Sequence, residues 1–435
     1  MEVICMKILL VFMSIFLFGI VQAVPVSAST TLTVNCENIL RPVNHNASGS
    51  LYGITETLPT DIDNLVAPLK PYVFTNPARA GDQYQQPIGA AIPTAGRITG
   101  TTGKVMIRLA DICPKWPYVF PGMNSWLKNV DSVIADKKAS GYSNFYGYEI
   151  WNEPIYTWSN VNGTFNDMWK KTYKMIRSKD PGAKIIGPSE GYYDHDRMKD
   201  FLTYCQNNNS LPDIISWHEL GANGKGIEMV SGNIDDYRAL ETSLGISERL
   251  ISINEYCDPD HNKEGAPGPS ARYIAKFERK RVDSACISWW WTANPGRLGS
   301  LLATDTAKGG GWWFYYWYGQ MTGNMVNVTP PQDASVLVDG FACVDSSAKY
   351  ISTLFGGNND GTINVTIKNI PSFIGSTAHV VVEKAKWTPR NREVNDTNII
   401  SQSNYTVSNN EIVVSVAECN NYDGYRIYIT PATGN

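Results

Sequence analysis

The sequence predicts a (β/α)8 barrel followed by a smaller β-sandwich, an α/β fold in two unequal parts. Between about residues 50 and 323, short apolar runs alternate with segments of helical periodicity. After Gly323 the helical periodicity disappears, and short strand-like runs separated by turn residues follow. The 435 residues, 43% hydrophobic and 18% charged, have the composition of a globular protein that can bury cores of this size.

The N-terminal segment has the features of a secretion signal. Lys7 precedes an apolar run over residues 8–21, and residues 26–28 (Val-Ser-Ala) fit the small-residue pattern of a cleavage site. The run is shorter than the roughly 20 residues that a membrane span needs. We therefore expect a signal peptide over residues 1–28, a secreted protein and no stable membrane span. Export also predicts disulfide bonds, although the seven cysteines after Cys5 are an odd number and leave at least one thiol without a partner in its own chain.

Residues 29–325 are predicted to form the barrel. Six apolar runs end about one βα unit apart, and two earlier runs complete a set of eight strands. The predicted strands cover residues 51–54, 72–75, 105–109, 146–150, 184–187, 214–217, 250–254 and 285–289. A doubly wound sheet is the alternative. The barrel is favoured because no glycine-rich phosphate loop follows a strand and because polar residues collect at strand ends along the whole series.

Residues 326–435 are predicted to form the β-sandwich. Thr329, Pro330 and Pro331 indicate a linker at its start. Its predicted strands cover residues 362–367, 378–383, 411–416 and 424–429. Residues 30–34 are also strand-like, so the start of the chain after the signal is open to joining the sandwich.

The clearest chemical signal is a pair of carboxylates at strand ends. Glu153 follows the fourth predicted barrel strand within residues 151–154 (Trp-Asn-Glu-Pro), and Glu255 follows the seventh. The carboxyl ends of barrel strands share one mouth, where such barrels carry out their chemistry. Two carboxylates about 5 to 5.5 Å apart can flank a glycosidic bond as acid/base and nucleophile. The acid needs a raised pKa, from burial or a neighbouring negative charge, whereas the nucleophile must stay ionised.

Other strand ends carry further candidates for the site. Arg108 ends the third strand and is placed to keep the nucleophile ionised, the alternative being an ion pair with a purely structural role. His218 ends the sixth strand and is a candidate to hydrogen-bond the nucleophile or a sugar hydroxyl, the alternative being a buried core histidine. Tyr256 and Trp290, after the seventh and eighth strands, are candidates for contact with a sugar ring.

The composition disfavours several other classes of protein. A net charge of −4 without a basic run argues against nucleic acid as the main partner. Five histidines, with no HExxH or CxxC pair, leave little material for a metal site, so no metal ligand is predicted. The 13 tryptophans and 23 tyrosines suit a carbohydrate partner, and hydrolysis by two carboxylates needs no cofactor.

The motif at residues 151–154, taken together with the Asn254-Glu255-Tyr256 segment, resembles clan A of the retaining glycoside hydrolases. The layout is most similar to glycoside hydrolase family 39, a barrel that carries a C-terminal β-sandwich. The resemblance implies that Glu153 is the general acid/base, that Glu255 is the nucleophile and that Asn152 holds the 2-hydroxyl group of the sugar.

The function that this resemblance implies is that of a secreted retaining glycoside hydrolase. Its substrate would be a plant or microbial polysaccharide or oligosaccharide, cleaved in the manner of a β-xylosidase or an α-L-arabinofuranosidase. The alternative is a catalytically inactive barrel that binds carbohydrate. The presence of both Glu153 and Glu255 disfavours this alternative, because a barrel that only binds has no need of two carboxylates at strand ends.

Overall fold

A computed structural model describes residues 30–221, 226–288, 297–335, 337–357 and 361–432. The predicted signal peptide over residues 1–28 lies outside the described residues. Of the helices within the described ranges, none combines the length and the hydropathy that crossing a bilayer requires.

The described chain begins with β1 (Thr31–Pro42), which lies outside the barrel, and then enters a closed barrel of eight parallel strands. The first and last barrel strands pair directly, with Gly49 opposite Cys286. The predicted barrel is therefore confirmed. Its strands are β2 (Gly49–Leu51), β3 (Val73–Pro77), β4 (Lys104–Arg108), β5 (Phe145–Glu149), β6 (Ile185–Glu190), β7 (Ile214–Glu219), β8 (Leu250–Tyr256) and β9 (Ser284–Ile287).

Amphipathic helices between the strands cover the barrel. In the helix that starts at Phe165, the side chain of Thr164 accepts a hydrogen bond from the amide of Asp167, while Met168 and Trp169 on one face are buried against the strands. The helices of the described residues are α1 (Ile62–Leu65), α2 (Ala91–Arg97), α3 (Met123–Ser140), α4 (Pro154–Thr157), α5 (Phe165–Lys179), α6 (His195–Asn207), α7 (Val230–Ser243), α8 (Pro267–Arg279) and α9 (Gly310–Gly319).

The strands after the barrel are β10 (Asn324–Thr329), β11 (Asp339–Asp345), β12 (Tyr350–Gly356), β13 (Gly361–Lys368), β14 (Thr377–Ala385), β15 (Asn398–Thr406), β16 (Glu411–Cys419) and β17 (Gly424–Pro431). Together with β1 they form a second sheet in the order β15-β14-β17-β12-β11-β10-β1-β13-β16. Val34 of β1, Val365 of β13 and Val380 of β14 belong to one buried cluster. Since β13 and β14 are far apart in the strand order, the sheet must fold over so that its two halves enclose this core as a sandwich.

Four strands of the sandwich are absent from the sequence-based prediction. β10 ends at Thr329, where the sequence indicates only a linker. β11 and β12 are buried along their whole length, so they lack the alternation of apolar and polar residues that marks a half-exposed strand. β15 is a polar edge strand and is almost fully exposed. The strand-like start of the described chain, β1, pairs with both β10 and β13 and so belongs to the sandwich.

Helix α8 joins the two parts of the molecule. Its residues are buried almost without exception, because the barrel covers one side and strands β11 and β12 cover the other. Across this contact, Lys276 and Arg279 of α8 donate to Asp339 of β11 at 3.1 and 2.6 Å. The buried charges are thus paired across the interface, and the sandwich covers a face of α8 that water would otherwise reach.

Within the described residues, the disulfide bonds that export suggested are absent. The seven cysteines of the described residues are all buried free thiols. Burial raises the pKa of Cys36, Cys113 and Cys205 to about 12, so these thiols stay protonated and unreactive near neutral pH. These three cysteines act as small apolar side chains within the cores.

Candidate active site

The strand ends bring the predicted polar residues to one mouth of the barrel. Arg108 ends β4, His218 lies near the end of β7 and Glu255 near the end of β8, while Glu153 follows β5 and directly precedes α4. Each of these side chains is at most 6% exposed. Four charged or ionisable groups therefore share a space that is nearly closed to bulk water.

Glu153 reaches the mouth through a tight turn. Its φ of 52° lies in the left-handed region, which costs energy for a residue with a side chain. Its amide donates to the carbonyl of Ser189 at 2.7 Å, and Pro154 begins α4 directly afterwards. This turn fixes the backbone from which the carboxylate projects.

Glu255 enters the site because β8 contains an extra residue. Trp217 pairs with Ile253, but the next residue, His218, pairs with Glu255, so β8 contributes the unpaired Asn254 at a bulge. Strict alternation would place Glu255 on the same face as Ile253, which packs in the core shared with the helices. The bulge turns the carboxylate into the barrel instead.

His218 lies between the two carboxylates. Its Nδ1 is 3.2 Å from Oε1 of Glu153, and its Nε2 is 3.6 Å from Oε1 of Glu255. The imidazole is fully buried. The sequence left open whether His218 would hydrogen-bond the nucleophile or a sugar; the structure places its hydrogen bond on Glu153.

Arg108 holds Glu255 within a second network. Its Nη1 donates to Oε1 of Glu255 at 2.7 Å, and its Nε donates to Oε2 of Glu149 at 2.8 Å. The other oxygen of Glu149 accepts from Nδ2 of Asn254 at 2.6 Å. One guanidinium thus compensates two buried carboxylates, and the charge-assisted contact favours the ionised form of Glu255.

The protonation of the site differs from the sequence-based expectation. Burial acts to raise the pKa of Glu153, but the hydrogen bond and charge of His218 bring that pKa below its ordinary value. Burial raises the pKa of Glu255, and the charges of His218 and Arg108 oppose this effect without cancelling it. Burial acts to lower the pKa of His218, but the charges of Glu255 and Glu153 outweigh it and raise the pKa. The lowered pKa of Glu153 and the raised pKa of His218 both favour the state in which the imidazole donates a proton to this carboxylate.

A buried acid stands behind Arg108. Asp111 accepts hydrogen bonds from the hydroxyls of Tyr52 at 2.7 Å and Tyr118 at 2.9 Å, and Tyr52 in turn accepts from Arg108 at 3.2 Å. Burial raises the pKa of Asp111 to about 7, although the charge of Arg108 and the two hydroxyl donors oppose the shift. Asp111 therefore titrates near neutral pH. Hydrogen bonds through Tyr52 connect it to Arg108, which contacts Glu255.

The pocket around the carboxylates offers polar atoms that have no partner. Among the described residues, Nη2 of Arg108 and Oδ1 of Asn152 are buried without a hydrogen bond, and both residues line the pocket. Nε2 of His218, beside the two carboxylates, is also without a hydrogen bond. Asn152 lines the pocket beside Glu153. Unpartnered donors and acceptors that converge on a pocket match a ligand rich in hydroxyl groups.

Trp116 is a pocket residue that the sequence-based prediction missed. Its indole Nε1 donates to Oε2 of Glu153 at 3.0 Å, and 45% of the residue is exposed, so part of the ring is open to solvent. Gln85 and Gln86 line the same pocket from another loop. The available signal was a tryptophan next to Pro117 in the loop that follows the third barrel strand.

One predicted contact residue does not take part in the described site. Tyr256 points away from the pocket, because the bulge in β8 leaves it on the outer face of the strand. Its ring packs on Tyr273 and Phe277 of α8, and its hydroxyl contacts that of Tyr315 at 2.5 Å. The prediction of a sugar contact for Tyr256 is therefore wrong. Trp290 lies outside the described residues.

Comparisons with known proteins agree with this architecture. Residues 132–277 match the family model of glycosyl hydrolases family 39. The chain is 28% identical over 326 residues to the 3-O-alpha-D-galactosyl-alpha-L-arabinofuranosidase of Bifidobacterium longum subsp. longum, a match that covers 72% of this chain and 28% of that protein. The chain thus spans less than a third of the length of this curated relative.

Solved structures share the complete two-part fold. The structure of N2152 from Neocallimastix frontalis is 53% identical with a TM-score of 0.90, and the match covers 92% of this chain and 99% of that one. A monomeric beta-xylosidase from Caulobacter crescentus CB15 is 13% identical with a TM-score of 0.68, over 93% of this chain and 100% of that one, and shows the fold alone. The family model thus places residues 132–277, in the barrel, in glycosyl hydrolases family 39. The solved structures show that the chain as a whole has the same two-part fold.

Proposed function

We propose that the protein is a secreted retaining glycoside hydrolase that cleaves an α-L-arabinofuranosidic bond in a polysaccharide or oligosaccharide. The observation that carries the proposal is the contact of both Glu153 and Glu255 with the single imidazole of His218. Both carboxylates therefore belong to one site, as hydrolysis by a pair of carboxylates requires. The resemblance of residues 151–154 and 254–256 to the retaining enzymes favours double displacement.

In the first step Glu153 protonates the glycosidic oxygen while Glu255 attacks the anomeric carbon. The bond to the leaving group breaks, and a glycosyl–enzyme ester forms on Glu255. Arg108 favours the attacking carboxylate form through its contact at 2.7 Å. The proton comes from the unit of Glu153 and His218, whose contact at 3.2 Å allows the imidazole to return it to the carboxylate.

In the second step Glu153 acts as a base. It takes a proton from water, the water oxygen attacks the anomeric carbon, and the ester bond to Glu255 breaks. The product keeps the configuration of the substrate because two inversions occur at one carbon. The indole N–H of Trp116, at 3.0 Å from Oε2 of Glu153, stabilises the carboxylate form that this step needs.

The choice of sugar rests on the curated relative. That relative is named a 3-O-alpha-D-galactosyl-alpha-L-arabinofuranosidase, and it aligns with 72% of this chain. The neighbour that is named a beta-xylosidase is only 13% identical and supports the fold alone. An α-L-arabinofuranoside is therefore the first substrate to test, and a β-xyloside is the second.

Export is part of the same proposal. Lys7, the apolar run over residues 8–21 and the cleavage pattern at residues 26–28 support it. N-terminal sequencing of the protein from the culture medium of an expressing host should start after Ala28. A protein that keeps its N-terminal segment and stays in the cell would contradict export.

The test uses 4-nitrophenyl α-L-arabinofuranoside, β-xyloside, β-galactoside and β-glucoside, together with digests of arabinogalactan and xylan. We expect release from the arabinofuranoside, or of an arabinose-containing disaccharide from arabinogalactan, with retained configuration in the first product seen by NMR. Glu255→Gln should lower kcat by at least about a thousandfold.

Glu153→Gln should behave differently from Glu255→Gln. A 2,4-dinitrophenyl leaving group needs no proton, so the first step should survive in Glu153→Gln and give a burst, whereas Glu255→Gln should give none. Glu219→Gln is the matched control, because Glu219 is a buried strand-end carboxylate that bonds Trp217 and Asn233 outside the pocket. Near-normal turnover in both active-site variants would sink the proposal. Binding of a glycan without turnover by the wild type would favour the inactive barrel.

A further inference from the structure

We propose that Cys257, His261 and Glu264 form a binding site for a transition-metal ion, with Zn²⁺ as the ion that the donor set favours. The three residues lie in the loop between β8 and α8. One donor atom of each, a sulfur, a nitrogen and an oxygen, lies within 4.8 Å of the others. Zn²⁺ is bound in proteins by these three ligand types, usually in a tetrahedron.

The geometry indicates convergence on one point. Sγ of Cys257 lies 4.0 Å and Oε1 of Glu264 lies 3.0 Å from the same atom, Nδ1 of His261. A proton on Nδ1 can be directed at only one of these two partners, whereas a cation placed between the three atoms contacts all of them. Ligands of a tetrahedral zinc ion stand about 3.3 to 3.5 Å apart. The two contacts of Nδ1, at 4.0 and 3.0 Å, lie on either side of this spacing, so small movements of the side chains bring them to it.

Neighbouring groups orient the carboxylate toward the cluster. Ser300 donates to Oε2 of Glu264 at 3.1 Å, and Nη1 of Arg390 lies 3.4 Å from the same oxygen. Oε1 is the oxygen that faces His261. Outer partners that fix a ligating carboxylate in this way are a regular feature of metal sites.

The surroundings provide both shielding and access. Cys257 is 2% exposed and Glu264 is fully buried, whereas the side chain of His261 is 36% exposed. An ion can therefore enter on the histidine side, where water can supply a fourth ligand. His261 belongs to a short helical turn that the side chain of Asp260 caps, so the loop already has a defined conformation.

The position of the site indicates a structural role. Cys257 directly follows β8, the strand that carries Glu255, and Arg390 belongs to the sandwich. A bound ion would fasten the loop after β8 to the start of α8 and, through Glu264 and Arg390, to the sandwich. We expect the ion to stabilise the fold, because structural zinc ions contribute directly to folding free energy.

The test starts with the full-length protein after dialysis against a chelator. Titration with Co²⁺ should give one equivalent of bound metal and a near-ultraviolet absorption from thiolate-to-cobalt charge transfer, which exposed histidines alone do not produce. Zn²⁺ should displace the Co²⁺, abolish this absorption and raise the melting temperature. Metal analysis by mass spectrometry gives the stoichiometry.

Cys257→Ser should remove the absorption, and His261→Ala should weaken Co²⁺ binding by at least about a hundredfold. The matched controls are Cys113→Ser, another buried thiol of the barrel, and His195→Ala, a half-exposed histidine elsewhere, and both should bind as the wild type does. Circular dichroism confirms that the variants fold. A wild type that binds neither ion in stoichiometric amount, or a Cys257→Ser variant that keeps the absorption, overturns the proposal.

Discussion

Nδ1 of His218 lies 3.2 Å from Oε1 of Glu153, and the imidazole is buried. An ionised carboxylate can only accept a hydrogen bond, so the proton of this contact belongs to the imidazole. The acid that the proposed mechanism needs is therefore a unit of two residues from two strands. The same ring approaches Glu255 to 3.6 Å, which ties the protonation of the acid/base to the charge of the nucleophile.

We expect His218→Asn to move the basic limb of the pH dependence of kcat/KM to lower pH. The charged groups that face His218 are Glu153, Glu255 and Arg108; the two carboxylates raise its pKa above the ordinary 6.5, against the effects of burial and of Arg108. The wild-type unit should hold its proton up to a pH above 6.5 and lose activity as the pH rises through the raised pKa. In the variant the proton must sit on Glu153 itself, and a carboxyl group loses it at lower pH.

Initial rates between about pH 4 and pH 9 test this expectation. His195→Asn, at an exposed position, should leave the profile unchanged. If His218→Asn lowers the rate equally at all pH values, the histidine only orients the substrate, and the hypothesis that His218 and Glu153 share a proton is wrong.

We expect Arg108→Lys to reduce kcat by about 10- to 150-fold, the equivalent of losing one hydrogen bond to a charged group. The guanidinium reaches Glu149 and Glu255 at once, at 2.8 and 2.7 Å, whereas an ammonium group has no such fork. Arg177→Lys is the control, because Arg177 forms an ion pair with Asp213, directly before β7, at the opposite end of the barrel. An Arg108→Lys variant that keeps the wild-type kcat would mean that the positive charge alone supports Glu255.

The barrel and its carboxylate pair were accessible from sequence because both follow from strong patterns. Buried parallel strands are continuous apolar runs, and each run ends at the same rim, so Glu153, His218 and Glu255 meet wherever the eight runs close into a barrel. The prediction needed no knowledge of the loops. The prediction fails where the orientation or position of a side chain depends on a local irregularity of the backbone.

The bulge at Asn254 is such an irregularity. Strict alternation puts Glu255 outside and Tyr256 inside, and the structure has the opposite arrangement because one residue of β8 is unpaired. Trp116 was missed for a related reason, since its contact with Glu153 depends on the path of a loop. Periodicity carries no information about either feature.

We expect Trp116→Phe and Trp116→Ala to affect different constants. Phenylalanine keeps the exposed ring but removes the N–H that donates to Glu153 at 3.0 Å, so kcat should fall about threefold to tenfold with little change in KM. Alanine also removes the ring, and KM should then rise by about tenfold if the ring contacts the sugar. Trp158→Phe is the control, because its N–H donates to the carbonyl of Gly163 instead. Equal constants for the two Trp116 variants would exclude a sugar contact of the ring.

We expect Tyr256→Phe to leave kcat and KM within about twofold of the wild type and to lower the free energy of unfolding by about 1 kcal/mol. Its hydroxyl contacts the carbonyl of Ala47 at 3.2 Å and the hydroxyl of Tyr315 at 2.5 Å, both outside the pocket. Denaturant unfolding and steady-state kinetics on one preparation separate the two effects. A raised KM with unchanged stability would indicate that Tyr256 contacts the substrate.

Asp111 provides a test through the pH dependence of stability. Its pKa is raised by burial from 3.8 to about 7 in the folded protein. Between these values the unfolded chain releases the proton while the folded chain keeps it, so the unfolded state binds fewer protons and stability falls as the pH rises. The loss is complete above about pH 7 and amounts to about 4 kcal/mol at most. Asp111→Asn cannot ionise and should not show this loss.

The free energy of unfolding of Asp111→Asn, relative to that of the wild type, should therefore increase from about pH 4 to pH 7 and then stay constant. Denaturant unfolding at several pH values measures this difference. In the wild type the hydroxyls of Tyr52 and Tyr118 donate to the carboxylate of Asp111, and in the variant they must reorient. The free-energy cost of this reorientation does not depend on pH, so it leaves the pH trend unchanged. Asp131→Asn, at a half-exposed position on α3, should run parallel to the wild type. Parallel curves for Asp111→Asn as well would mean that Arg108 keeps Asp111 ionised in the folded protein, in spite of burial.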